Sequence, residues 1–368
     1  MSTNSDSAPG APVPFLIYGA NGYTGKLIAR AAVERGMRPV LGGRNRAEVA
    51  ALADELGLLH CVFGLDEPAV MEAELADVPV VLNCAGPFVH IHRPLVDMCL
   101  RTGTHYLDIT GELAVFQAIA AHDAEAKAAG VMLLPGAGFD VAPSDCLAAH
   151  LKERLPSATR LTLALLPVGG WSRGTARTLV ESLHTPGMIR QDGALTPVSA
   201  LWKTLWIDFG QELVGRGWRG PVAAATIPWG DVFTAYYSTG IPNIETYLAV
   251  PDALARMGGV VRLSGPMLQW PIVKAALRRA VESLPDGPDE AALAAGFSVL
   301  WGEVTDDAGR RAVSRLRTPH TYLLTALAAL AIVEHVLAGD VHPGYQTPAS
   351  AYGPNLILGI EGIIRVDE

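Results

Sequence analysis

Between residues 14 and 135, six short apolar runs alternate with segments of helical periodicity, and this rhythm restricts what the chain can become. The runs are Phe15-Leu-Ile-Tyr18, Pro39-Val-Leu-Gly-Gly43, Cys61-Val-Phe63, Val78-Pro-Val-Val-Leu82, His105-Tyr-Leu-Asp108 and Val131-Met-Leu-Leu134. Helical patterns fill the gaps at 23–35, 46–56, 67–75, 94–101 and 113–129. A strand, a helix and a further strand return the chain to the same end of a sheet, so the strands run parallel. The expected fold class is α/β, with an N-terminal Rossmann-type doubly wound parallel sheet.

Past residue 140 the rhythm stops. Residues 161–167 read as a strand and 174–183 as a helix, and 195–250 hold tryptophans, turns and β-rich stretches. Among these stretches are Val232-Phe-Thr-Ala-Tyr-Tyr237 and Glu245-Thr-Tyr-Leu-Ala-Val250. A basic helix at 272–284 and an acidic Pro/Gly loop at 285–290 follow. Asp306-Asp-Ala-Gly309, between apolar runs at 297–304 and 311–317, carries a hairpin signature. A long helix at 319–337 comes next. The expected partition is a tail at 1–13, a Rossmann domain at 14–140 and an α+β substrate and dimerisation domain at 141–345. A segment at 346–368 then packs back.

Composition removes several classes of function. Half of the 368 residues are hydrophobic and 18% are charged, which excludes a mainly disordered chain. Acidic residues outnumber basic ones by 37 to 28 and no Lys/Arg run exists, so nucleic acid is not an expected partner. Cys61, Cys84, Cys99 and Cys146 form no C-x-x-C pair and sit in apolar segments, which fits reduced thiols and a cytoplasmic location. Residues 1–10 have neither a basic n-region nor an apolar h-region, so no secretory signal is expected. The apolar run at 322–337 contains Glu334 and His335 and falls short of the ~20 residues a span needs. It reads as a buried helix, with no stable membrane insertion.

The glycine loop is the strongest chemical signal. Gly19-Ala-Asn-Gly22-Tyr-Thr-Gly25 follows an apolar strand and opens a helix. In that setting Gly19 makes the tight turn, Gly22 lets a pyrophosphate approach the backbone, and Gly25 allows helix and strand to pack closely. Asn21, Tyr23 and Thr24 lie within the same loop. Where NAD-specific folds place an Asp or Glu, this chain has Gly42-Gly-Arg-Asn-Arg46. Arg44, Asn45 and Arg46 offer two guanidiniums to a 2′-phosphate and no carboxylate to repel it, so NADP(H) is the expected cofactor.

Further segments fall in a telling order. Asn83-Cys-Ala-Gly-Pro87, His105-Tyr-Leu-Asp108 with Thr110-Gly-Glu112, and Gly138-Phe-Asp140 with Pro143-Ser-Asp145 follow the glycine loop. With it they resemble the NADP-binding half of the saccharopine dehydrogenase-like oxidoreductases, and within them the bacterial trans-acting enoyl reductase branch. Thr226-Ile-Pro-Trp-Gly-Asp231, Ser238-Thr-Gly-Ile-Pro-Asn243, Gly344-Tyr-Gln-Thr-Pro348 and Tyr352-Gly-Pro354 fit that branch too. Val89-His-Ile-His92-Arg93 departs from the family's usual pattern after Gly86-Pro87-Phe88, and the resemblance places that loop near the nicotinamide. It also puts Asn83, Ala85, Gly86 and Pro87 beside the nicotinamide ribose, with Asp108 and Gly111 after the next strand.

For chemistry, no Tyr-x-x-x-Lys pair exists, which sets short-chain dehydrogenases aside. Cys146 lies beside Leu147 and Ala148 and reads as a packed thiol rather than a nucleophile. No carboxylate or cysteine completes a metal site with His90 and His92, whose spacing would place both on one side of an extended segment. Ser144 or Asp145 reads as a helix N-cap, and Asp140 as a proton donor or as a brace for its glycine-rich turn. The proton that follows hydride transfer is assigned first to Asp140, then to Tyr237, then to His92.

The expected activity is NADPH-dependent hydride transfer to an activated C=C or C=N bond of a mainly apolar small molecule. The rivals are an NADP(H)-sensing binding protein without turnover and a saccharopine-type amino-acid dehydrogenase. A homodimer built through the aromatic-rich 202–247 segment is also expected.

Overall fold

The computed structural model describes residues 15–169, 187–199, 202–215, 220–252 and 287–368, together with Ala255, Arg279 and Glu282. The tail at 1–13 and the helices read at 174–183 and, but for Arg279 and Glu282, at 272–284 lie outside the described residues.

Two sheets organise the rest. The first contains β1 (Leu16–Tyr18), β2 (Val40–Gly43), β3 (His60–Val62), β4 (Val80–Asn83), β5 (His105–Asp108), β6 (Met132–Leu134) and β15 (Gly344–Tyr345). All its pairings are parallel, in the order β15-β6-β5-β4-β1-β2-β3. The first six strands thus take the doubly wound Rossmann order, which changes direction between β1 and β4. Alternate residues face opposite ways: Phe15, Ile17, Val80 and Leu82 enter one core, while Leu16, Tyr18, Val81 and Tyr106 enter the other. Helices cover both faces, and both cores are closed to water.

Six helices connect these strands: α1 (Tyr23–Glu34), α2 (Arg46–Leu56), α3 (Pro68–Leu75), α4 (Phe88–Thr102), α5 (Leu113–Ala120) and α6 (Asp123–Ala129). The single helix read at 113–129 is therefore two, broken at Ala121 and His122. The helix read from 94 begins at Phe88 and runs through Pro94. Glu112 accounts for the early start, because its carboxylate accepts from the backbone N–H groups of Phe88 and Val89, both at 2.9 Å. His90 and His92 consequently lie on a helix and not on an extended segment.

Then α7 (Ala142–Arg154) leads to the second sheet, a nine-stranded mixed array. Its central path is β10 (Thr204–Ile207), β11 (Val222–Thr226), β12 (Asn243–Ala249), β7 (Arg160–Val168), β13 (Phe297–Thr305), β14 (Arg311–Pro319) and β16 (Ile364–Asp367). The hairpin of β8 (Gly187–Gln191) and β9 (Ala194–Val198) leans on β12. Asp306 closes the β13–β14 turn where the sequence places it, its Oδ1 accepting from Ala308 N at 3.0 Å and Arg310 N at 2.9 Å.

Short helices α8 (Gln211–Val214), α10 (Glu290–Ala295) and α12 (Pro348–Tyr352) fill the connections around two longer ones. Residues 232–237, read as β-rich, form α9 (Asp231–Thr239), which ends at Gly240 with φ +67°. Asp231, Val232, Phe233, Thr234, Ala235 and Thr239 are buried, so packing overrides their β propensity. The long apolar helix is α11 (Thr321–Leu337), buried almost all round; its Ala326, Ala329, Leu330 and Val333 enter the first sheet's core. No helix among the described residues is long and apolar enough to cross a membrane.

Candidate active site

A cavity of about 490 Å³ opens over the carboxyl ends of β1, β2 and β4, beside the point where strand order reverses. Among the expected residues, Gly19, Asn21, Gly22, Arg44, Asn45, Ala85 and Gly86 line it. Tyr18, Gly43 and Cys84 line it as well, and the sequence reading missed them. Each directly precedes or follows an expected residue at the end of a strand.

The three glycines do different work. Gly19 has φ +80°, and a Cβ there would stand 2.7 Å from Ala85 N. At Gly25 a Cβ would strike Gly19 O and come within 2.9 Å of Ala20 Cα. The fold itself therefore needs both. Gly22 has an ordinary φ of −72°, and its Cβ would meet only Gly19 O at 3.4 Å. Nothing inside the protein requires glycine there. Gly22, which lines the cavity, is the N-cap of α1 and supplies no side-chain cap, so the helix opens beside the cavity with its first N–H groups uncapped by any side chain among the described residues. Tyr23 points elsewhere, its hydroxyl donating to Pro288 O at 2.7 Å. Thr24 is half-buried on the first turn of α1.

Arg44 is exposed, and its guanidinium has no ion pair among the described residues. Arg46 is exposed on the first turn of α2, outside the cavity lining. Asn45 caps α2 by accepting from Glu48 N at 3.4 Å. Glu48 also accepts from Asn45 Nδ2 at 2.7 Å and from Asn21 Nδ2 at 2.8 Å. Its carboxylate thereby fastens the glycine loop to the end of β2. The Asn45-x-x-Glu48 spacing is a capping-box pattern through which Glu48 could have been found.

Asn83 and Asp108 are fully buried and do not present their side chains to the cavity. Asn83 Oδ1 accepts from Ala85 N at 3.0 Å, and its Nδ2 donates to Tyr106 Oη at 3.1 Å. Asp108 accepts from Thr110 N, Gly136 N and Tyr106 Oη at 2.9–3.0 Å. Both act on the turns that follow their strands. Burial outweighs these bonds at Asp108 and raises its carboxyl to about 7. Pro87 closes the β4 turn as the N-cap of α4.

Asp140 follows β6 on the next loop. Its Oδ2 lies 2.7 Å from where a Gly111 Cβ would stand, so Gly111 is the space that admits this carboxyl. The residue is partly exposed, yet the carboxyl is enclosed, and desolvation raises it to about 6. Ser144 and Asp145 sit inside the first turn of α7, whose N-cap is Val141, so neither is the expected cap. Asp145 instead accepts from Ser238 Oγ at 2.5 Å and Ala349 N at 2.8 Å. Burial also pushes Asp231 well up; Ser144 faces it but donates to Val141 O at 3.1 Å, leaving both Asp231 oxygens without a hydrogen bond.

The other two expected proton donors have contacts of their own. Tyr237 is half-exposed on α9, its ring against Phe233 and Tyr345 rather than on a strand at the junction. His92 Nδ1 is within 2.8 Å of Phe88 O on its own helix. Cys146 is buried, with its Sγ directed at Gly353 O, and burial pushes the thiol up. Among the described residues no group of three or more His, Cys, Asp or Glu is arranged to hold a metal ion.

Comparison with known proteins gives this arrangement relatives. Residues 15–134 match the family described as saccharopine dehydrogenase NADP binding domain. A trans-acting enoyl reductase of Mycobacterium leprae is 36% identical over 150 residues, covering 38% of this chain and 35% of that protein. One from Mycobacterium ulcerans is 30% identical over 185 residues, covering 46% and 44%. The matches thus span less than half the length of these curated relatives. The solved structure of apo saccharopine dehydrogenase from Saccharomyces cerevisiae shares the fold with a TM-score of 0.64 at 13% identity, covering 96% of this chain and 99% of that one. The glycine cradle, the open start of α1 and Arg44, which has no ion pair among the described residues, fit an NADP-type dinucleotide, in keeping with the match of residues 15–134 to the saccharopine dehydrogenase NADP binding domain.

Proposed function

We propose that this protein is an NADPH-dependent reductase that transfers hydride to an activated C=C bond of a mainly apolar small molecule. NADPH, when bound, supplies the hydride and its two electrons. The Arg44 guanidinium in the cavity wall, without an ion pair among the described residues, carries the reading, because it would meet a 2′-phosphate where an NAD site would hold a carboxylate. The N–H groups opening α1 hold the pyrophosphate, and Gly22 lets it come close. The Asn83-braced Ala85–Gly86 turn and the Asp140 carboxyl border the reacting end. Asp140, raised to about 6, is the group that returns a proton to the reduced carbon. The enoyl reductase names of the mycobacterial relatives support C=C over C=N as the bond reduced.

The test is NADPH oxidation against a panel of enals, enones and cyclic imines, with NADH in parallel. Turnover of enones or enals with NADPH supports the reading. Tight NADPH binding with no turnover on the whole panel makes the protein a sensor and overturns it.

We also propose a homodimer. Leu205 and Trp206 are 37% and 51% exposed on β10, an outer strand of the second sheet, and a second copy would cover them. Light scattering should return twice the 38.8 kDa chain mass; a value near 38.8 kDa overturns the dimer.

A further inference from the structure

Arg44 and Glu48 stand four residues apart at the rim of the cavity, yet they do not pair. Glu48 is exposed on the first turn of α2, and both of its oxygens are taken by amides. Oε1 accepts from Asn45 Nδ2 at 2.7 Å, and Oε2 accepts from Asn21 Nδ2 at 2.8 Å. Asn45 is itself the N-cap of α2, and Asn21 belongs to the glycine loop after β1. Gly43 makes room for the arrangement, since a Cβ there would stand 3.0 Å from Asn21 Oδ1. Asn21, Gly43, Arg44 and Asn45 all line the cavity.

Fastening the loop does not by itself call for a charge. An exposed carboxylate beside an exposed guanidinium is drawn to it, but a surface ion pair gains little net energy. Two amide donors, each bonded to a charged acceptor, together hold the carboxylate more firmly than that. The outcome is a carboxylate tied to two neutral groups, beside a guanidinium that has no ion pair among the described residues.

The two charges have opposite consequences for a dinucleotide. A carboxylate near the end of β2 accepts the ribose 2′-OH of NAD and repels a 2′-phosphate, and a guanidinium grips that phosphate. A Glu48 side chain released from its amides has both targets open to it, the ribose and Arg44.

We propose that Asn21 and Asn45 determine cofactor choice by restraining Glu48, which keeps its carboxylate off Arg44 and off the ribose. Arg44 is thereby left to the 2′-phosphate. The assignment rests on the reading of Arg44 given above and extends it to one carboxylate and two amides. Both asparagines are positioning residues in this scheme, acting on the phosphate through Glu48 and Arg44.

Fluorescence titration of the full chain with NADPH and with NADH tests it. The ratio of the two affinities is the readout, because a general loosening of the glycine loop weakens both cofactors and cancels. Asn21→Ala frees Oε2 and should lower the preference for NADPH about tenfold, with NADH affinity held or raised. Removing the carboxylate as well, in Asn21→Ala/Glu48→Ala, should return the ratio to within about threefold of wild type, and Glu48→Ala alone should not lower it. Asn45→Ser keeps a cap acceptor for α2, loses the amide donor, and should act as Asn21→Ala does.

A ratio within about threefold of wild type in both asparagine variants overturns the proposal and leaves the Arg44 reading standing. So does a lowered ratio that the added Glu48→Ala change fails to restore. Equal binding of NADH and NADPH by wild type, or a wild-type ratio in Arg44→Ala, overturns the Arg44 reading and the restraint with it.

Discussion

Trp229 reaches from the second domain to donate its indole N–H to the backbone oxygen of Asp140 at 2.5 Å. The bond fixes the loop after β6 from outside its own sheet. The side chain of Asp140 can then face Gly111 without being spent on holding its own turn.

Asp140→Asn should therefore fold and bind NADPH as wild type does, while turnover falls by about 10²-fold. A donor must be protonated to donate, and desolvation raises Asp140 to about 6. Wild-type kcat should accordingly decline as pH rises through that region. Steady-state kinetics across pH 5–8 check both points, and turnover within a few-fold of wild type would assign Asp140 to structure alone.

Gly22→Ala separates ligand from fold. With an ordinary φ and one contact at 3.4 Å, the added methyl should cost about 0.5–1 kcal/mol, the loss expected on putting alanine at an N-cap. NADPH affinity should fall at least tenfold, or ~1.4 kcal/mol. Gly25→Ala should reverse the balance, because its Cβ meets backbone and overpacking costs about 1–3 kcal/mol. Thermal melts with cofactor titrations read the difference; equal stability losses at the two positions count against a ligand-driven Gly22.

Arg44→Ala should weaken NADPH binding by roughly 1.5–3 kcal/mol, the scale of a hydrogen bond to a charged group, and leave NADH unchanged. Fluorescence titration of both cofactors decides it. Equal losses would mean that Arg44 does not read the phosphate.

Asp231 bears on stability through pH. Burial raises its carboxyl, as it does those of Asp140 and Asp145 to about 6 and Asp108 to about 7. A carboxyl raised on folding contributes stability below its unfolded pKa, and this is lost as pH climbs through the folded value. The melting temperature should thus fall between pH 5 and pH 8. Asp231→Asn carries no charge to bury, so it should melt above wild type at pH 8 and close to it at pH 5. A deficit at pH 8 as large as at pH 5 would refute this account.

The six parallel strands and the glycine cradle were legible because period-two and period-3.6 patterns are local, and Gly19 and Gly25 answer to contacts within one βαβ unit. What escaped depends on distant partners. The residues of α9 look like a strand until α7 is packed against them, and α4 starts early because Glu112 caps it from the next loop. Asn83 and Asp108 have the right chemistry to touch a ligand, yet Tyr106, two residues before Asp108 on β5 and brought near Asn83 by the β4–β5 pairing, draws them inward.

Strand β15 lies alongside β6 although 209 residues separate the end of one from the start of the other, and α11 is packed beneath the same sheet. A nascent chain leaving the ribosome therefore has its nucleotide-binding strands in hand long before their last neighbour and their covering helix are synthesised. During that interval the β6 edge and the apolar face beneath the sheet are open to other chains. Synthesis of residues 321–345, rather than completion of residues 15–134, is what ends the exposure. A gene fragment cut after residue 140 should accordingly yield aggregate, and supplying residues 319–368 as a separate chain during synthesis is the way to rescue it.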